Sequence, residues 1–136
     1  MTQPFAASDL PTFPGLDTLL GFRYGETSGD RVVLTWRITP DLRQPLGIVH
    51  GGVYCAAVES AASIGAALWF GERGSVVGVA NQTDFLRAVS EGELTATATP
   101  LHRGRSQQLW LVEIVDDEQR LLARGQVRLQ NLTASD

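Results

Sequence analysis

Gln44-Pro-Leu-Gly-Ile-Val-His50-Gly51-Gly52 runs straight into Val-Tyr-Cys55-Ala-Ala-Val-Glu59-Ser-Ala-Ala-Ser63, and this junction gathers the residues best suited to chemistry. His50-Gly51-Gly52 opens a long run of small apolar residues that reads as a helix, with one carboxylate, Glu59, about two turns in. A lone carboxylate among apolar side chains costs desolvation energy unless it is paired or used. The first N–H groups of a helix lack intrahelical acceptors and carry partial positive charge. A poised carboxylate and a carbonyl-polarising helix end are what hydrolysis of an activated acyl group requires. The two glycines leave room for a carbonyl oxygen or another backbone to approach closely. The structural alternative is a plain loop-to-helix turn followed by an acid at an exposed or subunit edge.

On a helix, Glu59 and Ser63 lie at i and i+4, with Cys55 one turn earlier on the same stripe. Ser63 is suited either to positioning a water or to close packing. Gln44, in the preceding loop, offers an amide to a water or a carboxylate. No Ser/His/acid set surrounds a nucleophile-elbow motif, which disfavours a serine-hydrolase mechanism. His102-Arg103-Gly104-Arg105-Ser106 is a compact basic turn, and Arg87 could extend its surface. Guanidinium and hydroxyl groups of this kind suit phosphate, the alternative being a solvated hairpin. Dinucleotide and Walker-type glycine loops are absent.

The surrounding pattern predicts the elements that hold these residues. Pro14–Leu20 suits a short helix with Pro14 at its first position. Gly21–Thr27 and Arg31–Thr39 read as strands around Ser28-Gly29-Asp30, and Val32, Leu34, Trp36 and Ile38 alternate as in a half-buried sheet. The helix runs from Gly51 to Phe70, roughly 30 Å at 1.5 Å per residue, and Gly71 stops it. Its Ala and Gly content leaves space for a sheet to wrap closely. Four strands follow at Ser75–Phe85, Gly92–His102, Ser106–Val115 and Leu121–Leu129, the second presenting Leu94, Ala96, Ala98 and Pro100 on one face. Strand–strand–helix–four strands joined by hairpins predicts an α+β architecture, an antiparallel sheet with one central helix.

The 136 residues suit one domain, and a formal charge of −4 argues against general nucleic-acid binding. All eleven basic residues are Arg. Cys55 is the sole cysteine, so no intrachain disulfide forms, and neither His50 nor His102 has a second His or Cys at ligand spacing; no metal site is expected. Met1–Phe13 lacks the pattern of a signal peptide. Val53–Phe70 is long enough for a membrane span, but its Ala, Ser and Gly content and Glu59 read as a buried helix. A cytoplasmic location with no membrane span is expected.

Three blocks in order carry a family resemblance over roughly residues 20–130. They are His50-Gly51-Gly52 with Glu59 downstream, Asp84-Phe85-Leu86-Arg87-Ala88 followed by Glu91-Gly92-Glu93-Leu94, and Leu101-His102-Arg103-Gly104-Arg105-Ser106. The chain resembles the hotdog-fold acyl-CoA thioesterases, in the branch of the phenylacetate-pathway and Arthrobacter-type 4-hydroxybenzoyl-CoA enzymes. The resemblance implies a single hotdog domain at 21–130, with a lead-in at 1–20 and a tail at 131–136. It implies Glu59 as catalytic carboxylate, Gly51 as the N–H donor to the thioester carbonyl, and Gln44 and Ser63 beside the reacting centre. His50, Gly52 and Asn81 would contact substrate, with Asn81 reaching the pocket from a neighbouring chain. Arg87 and the turn His102, Arg103, Gly104, Arg105, Ser106 would meet the nucleotide end of CoA. The implied partners are an acyl-CoA substrate and further copies of the chain, as a homodimer or tetramer, with no cofactor or metal beyond the CoA of the substrate. Glu rather than Asp at position 59 points toward the hydroxybenzoyl type, while Ala88 departs from a proline frequent in the family. The alternative is a non-catalytic acyl-CoA sensor on the same fold.

Overall fold

A computed structural model describes residues 15–134. The expected lead-in over 1–13, Pro14, and the last residues of the tail lie outside the described residues. A short helix, α1 (Leu16–Leu19), precedes strands β1 (Arg23–Thr27) and β2 (Val32–Arg37). The long helix α2 (Gly51–Phe70) follows, then β3 (Gly74–Phe85), β4 (Glu93–Arg103), β5 (Gln107–Val115) and β6 (Leu121–Thr133). β1 starts two residues later than the sequence pattern predicts because Gly21 turns the chain out of α1 at φ 79° and the Phe22 N–H donates to the Asp17 carbonyl. The Ser28 hydroxyl closes the first hairpin by accepting from the Asp30 and Arg31 N–H groups, each at 3.1 Å.

All six strands form one antiparallel sheet in the order β1-β2-β4-β5-β6-β3. The α2 connection therefore carries the chain from β2 to the opposite edge, and among the described residues β3 keeps one side unpaired. Alternating side chains fill the inner face: Val32, Leu34 and Trp36 from β2, Leu94, Ala96 and Ala98 from β4, and Trp110, Val112 and Ile114 from β5 are all fully buried. Of the predicted face of β4, Leu94, Ala96 and Ala98 are buried and Pro100, next to a register shift between Pro100 and His102, is partly exposed. Small residues let α2 sit close to the sheet. At Gly65 an added Cβ would lie 2.6 Å from the Trp110 ring, so only glycine lets that indole rest on the helix. By length and composition α2 is apolar enough to cross a membrane, but β2 to β6 all pack against it, as around the core helix of a globular fold.

α1 is tied to α2 through Asp17, whose carboxylate accepts from the Tyr24 hydroxyl at 2.6 Å and from the Ser60 hydroxyl at 2.5 Å. Burial, then the bond to Asp17 and its charge, push the Tyr24 phenol well above its ordinary range. Burial, then the charge of Asp116, push Tyr54 up to about 12. These are the chain's two tyrosines. A raised folded-state pKa means the native state holds these protons more tightly than the unfolded chain does. The stability they contribute is intact below about pH 10, where unfolded tyrosine begins to ionise, and is lost as pH rises through 12. A melting-temperature series from pH 8 to 12 should fall only above about pH 10, with phenolate absorbance appearing together with unfolding. Free titration of either tyrosine near 10 in the folded protein would contradict it.

Candidate active site

Glu59 lies midway along α2 on the stripe that faces β3, half-buried rather than sealed in the core. Its carboxylate is gripped from both sides. Asn81 Nδ2 donates to Oε1 at 3.1 Å, and the Ser63 hydroxyl donates to Oε2 at 3.2 Å. The β3 backbone passes so close at Gly78 that an added Cβ would lie 2.2 Å from Oε2. Asn81 also donates to the Cys55 carbonyl at 3.1 Å, and the Thr83 hydroxyl donates to Asn81 Oδ1 at 2.8 Å. The expected pairing of Glu59 with Ser63 is present. Asn81 reaches Glu59 from within the same chain.

The helix start is built by His50, which caps it in extended geometry, its Nδ1 accepting from the Gly52 N–H at 2.8 Å. The bond fixes the imidazole tautomer, with the proton on Nε2 when the ring is neutral. The Val53 N–H donates to the His50 carbonyl. Gly51 is the first helical residue, and its N–H has neither an intrahelical acceptor nor a bonded partner among the described residues. Of the two glycines, then, Gly52 spends its N–H on the cap and Gly51 keeps its own available. The Phe85 ring lies against Gly51, within 2.6 Å of where a Cβ would stand, and packs on Tyr54 with ring centroids 5.9 Å apart. Phe85 is 56% exposed, so an aromatic surface borders the free donor. Gln44 lies in the turn before the helix, where its side-chain carbonyl accepts from the Leu46 N–H. That bond orients the amide and leaves its NH2 unbonded among the described residues.

The basic turn divides in two. Arg103 points back into the fold: Nη1 donates to the Gly29 carbonyl at 2.7 Å and pairs with Asp30 at 2.8 Å, and its guanidinium lies 5.5 Å from the Trp69 ring centre. It clasps the first hairpin, so its charge is already partnered. His102, Arg105 and Ser106 are exposed, and Gly104 with Arg105 borders a groove of about 480 Å³ beside Trp69, Phe70 and Arg73. Arg87 is exposed just past β3, where its N–H donates to the Leu122 carbonyl.

Asn131, unnoticed in the sequence, builds this turn. Its side chain donates to the Gly104 and Arg105 carbonyls at 3.0 and 3.2 Å, and its N–H donates to the Ser106 carbonyl. Buried Gln108 donates to Asn131 Oδ1 and to the Ala66 carbonyl and accepts from Trp110 Nε1, linking the turn to α2. A polar residue at an inward phase of β5 was the available signal, since such a group needs a buried partner. Among the described residues, no three His, Cys, Asp or Glu side chains are gathered that could hold a metal ion.

Within one chain, Glu59, Ser63 and Asn81 converge, whereas Gly51 stands eight residues earlier on the helix. That separation is roughly 12 Å along the axis at 1.5 Å per residue. The basic turn lies near the opposite, C-terminal end of α2, where Arg103 approaches Trp69.

The thioesterase superfamily model matches residues 46–123, the span from the turn before α2 into β6. The solved Rv1847/MT1895 protein of Mycobacterium tuberculosis, to which an esterase activity is ascribed, is 55% identical with a TM-score of 0.84, over 87% of this chain and 96% of that one. AziG of S. sahachiroi is 53% identical with a TM-score of 0.84, over 85% and 94% respectively. The 1,4-dihydroxy-2-naphthoyl-CoA hydrolase of Listeria monocytogenes is 34% identical over 79% of this chain and 88% of its own length. The chain belongs to the thioesterase superfamily: it is a hotdog-fold thioester hydrolase.

Proposed function

We propose that the chain hydrolyses acyl-CoA thioesters, with aryl-CoA as the preferred class, through Glu59 of one subunit and the Gly51 N–H of another. The observation that carries this reading is the Glu59 carboxylate, held by a donor on each oxygen and sharing its helix with a free N–H at Gly51. An attacking oxygen must come within roughly 3–3.5 Å of the carbonyl carbon. The carbonyl oxygen needs a donor within roughly 3 Å. Two groups about 12 Å apart along one helix cannot meet those limits on one thioester. A second copy resolves the conflict. Among the described residues β3 is an unpaired edge with Val77 and Val79 about half exposed, an edge that association would cover. Antiparallel pairing along it carries the partner's helix start, packed on Phe85 at the end of β3, back toward the Gly78–Asn81 segment that holds Glu59.

In the assembled site, Gly51 of the partner subunit polarises the thioester carbonyl. Glu59 then either attacks to give a mixed anhydride or takes a proton from the attacking water, and CoA leaves as thiolate. Both routes need the carboxylate ionised. Label found on Glu59 after a single turnover in isotopically labelled water would establish the anhydride route, with water opening the anhydride at the Glu59 carbon. Gln44 lies beside this centre. His50 and Gly52 shape the helix start, and Arg87 with the exposed His102, Arg105 and Ser106 serves the nucleotide phosphates. Arg103 and Gly104 form the frame of that turn. The exposed Phe85 ring beside Gly51, backed by buried Tyr54, supports an aryl acyl group, as do the hydroxybenzoyl-type resemblance and the naphthoyl-CoA named for the Listeria relative.

CoA release should be measured across benzoyl-, hydroxybenzoyl-, phenylacetyl-, short- and long-chain acyl-CoAs. The aryl thioesters should show the highest kcat/KM. Tight binding of all of them without turnover would overturn the reading.

A further inference from the structure

We infer that Thr83 and Asn81 form a positioning relay on a β-bulge, whose task is to hold the Glu59 carboxylate aimed rather than to contact substrate. The inference rests on Glu59 being the catalytic carboxylate, and it reassigns Asn81 from the substrate-contact role that the family resemblance implies.

The geometry fixes the relay's direction. Cys55 O and Glu59 Oε1 both accept, so the end of the Asn81 amide that lies 3.1 Å from each must be the NH2. Oδ1 then faces Thr83, and the Thr83 hydroxyl must donate, at 2.8 Å. Both Asn81 protons are thereby spent inside the chain: one on the helix backbone, which cannot move, and one on the carboxylate. No proton remains for a ligand. Thr83 locks the amide against a flip that would turn Oδ1 toward two acceptors.

A bulge makes this placement possible. In the β3–β6 register Gly78 opposes Leu129 and Ala80 opposes Arg128, so Val79 is the extra residue and the strand changes phase there. Gly78 lies against the carboxylate before the bulge. After it, Asn81, Thr83 and Phe85 face the helix, with Asp84 turned away. An unbroken alternation from Gly78 would have presented Ala80 to Glu59 and pointed Asn81 outward.

The test compares kcat and KM of Asn81→Leu, Asn81→Asp and Thr83→Val with wild type, using whichever aryl-CoA is turned over. Misplacing a reacting group by about 1 Å costs roughly 10²-fold, so Asn81→Leu should lower kcat by about that factor while KM changes little. Asn81→Asp, which keeps the shape but loses the NH2 and sets a second carboxylate against Glu59, should lower kcat at least as far. Thr83→Val, which keeps the shape and drops the hydroxyl, should lower kcat by a smaller factor with KM again little changed, and it carries the test if the Asn81 variants fail to fold. Raised KM with unchanged kcat would return Asn81 to a substrate contact. Unchanged kcat and KM in all folded variants would reduce the relay to packing. Glu59→Gln assayed in parallel separates the two ideas: if it is inactive while Asn81→Leu behaves as wild type, the relay fails and the Glu59 assignment stands, whereas an active Glu59→Gln removes the assignment itself.

Discussion

Glu59→Gln should lower kcat for acyl-CoA hydrolysis by roughly 10³-fold, the middle of the range for removing a positioned acid or base, with KM little changed. The substitution isolates charge from shape. Gln has the same heavy-atom count and fits against Gly78, where β3 tolerates no additional bulk. Its carbonyl still accepts from Asn81, and its NH2 faces the Ser63 hydroxyl, which can turn to accept. Neither helix nor sheet therefore has reason to shift, and the melting temperature should stay within a few degrees of wild type. What disappears is the ability to attack a carbonyl or to take a proton. Ser63→Ala should cost much less, because it removes one donor to the carboxylate and leaves Asn81 in place. Steady-state CoA release with a thermal melt on the same sample gives the answer. Turnover by Glu59→Gln close to wild type would end the assignment.

Much of this was legible in the residues, and the parts that were not share a cause. The period-2 pattern of Val32, Leu34 and Trp36, the small-residue helix and the hairpin turns led directly to a sheet wrapped on one helix. Glu59 and Ser63 met as their spacing required, because an i, i+4 relation is local. Asn81 was visible as a residue but not as a partner of its own chain's Glu59. Val76, Val77, Gly78, Val79 and Ala80 are small or apolar in both phases, so nothing in their order reveals the bulge that turns Asn81 inward. Arg103 was read by type as a phosphate ligand, yet its partner Asp30 stands 73 residues earlier, a pairing that only the sheet order brings about. Asn131 fell in a stretch read as tail, although β6 continues to Thr133 and that residue organises the basic turn. Local spacing announced itself. Contacts made by strand register did not.

Gly51→Pro should reduce kcat by roughly 10²–10³-fold, the cost of deleting one oxyanion donor. Proline removes that N–H and little else. It is welcome at the first helical position, and His50 before it already holds φ −66° and ψ 133°, the extended geometry a following proline demands. The cap from Gly52 to His50 does not use the lost N–H, and the edge of the Phe85 ring, which the new ring would meet, belongs to an exposed, movable side chain. The sharper result comes from mixing. Neither Glu59→Gln nor Gly51→Pro has an intact site as a homodimer. If each site takes Glu59 from one subunit and Gly51 from the other, a mixed dimer holds one site with both defects and one with neither. Random reassortment at equal concentrations makes half the dimers mixed, so about a quarter of all sites regain full activity. If both groups act within one chain, every site in every dimer keeps a defect and mixing restores nothing. Unfolding and refolding the two variants together, then assaying CoA release against each refolded alone, therefore measures where the site is built. Recovery near a quarter places it between subunits, as the 12 Å along α2 requires. No recovery from a sample shown to contain mixed dimers would overturn the intersubunit site.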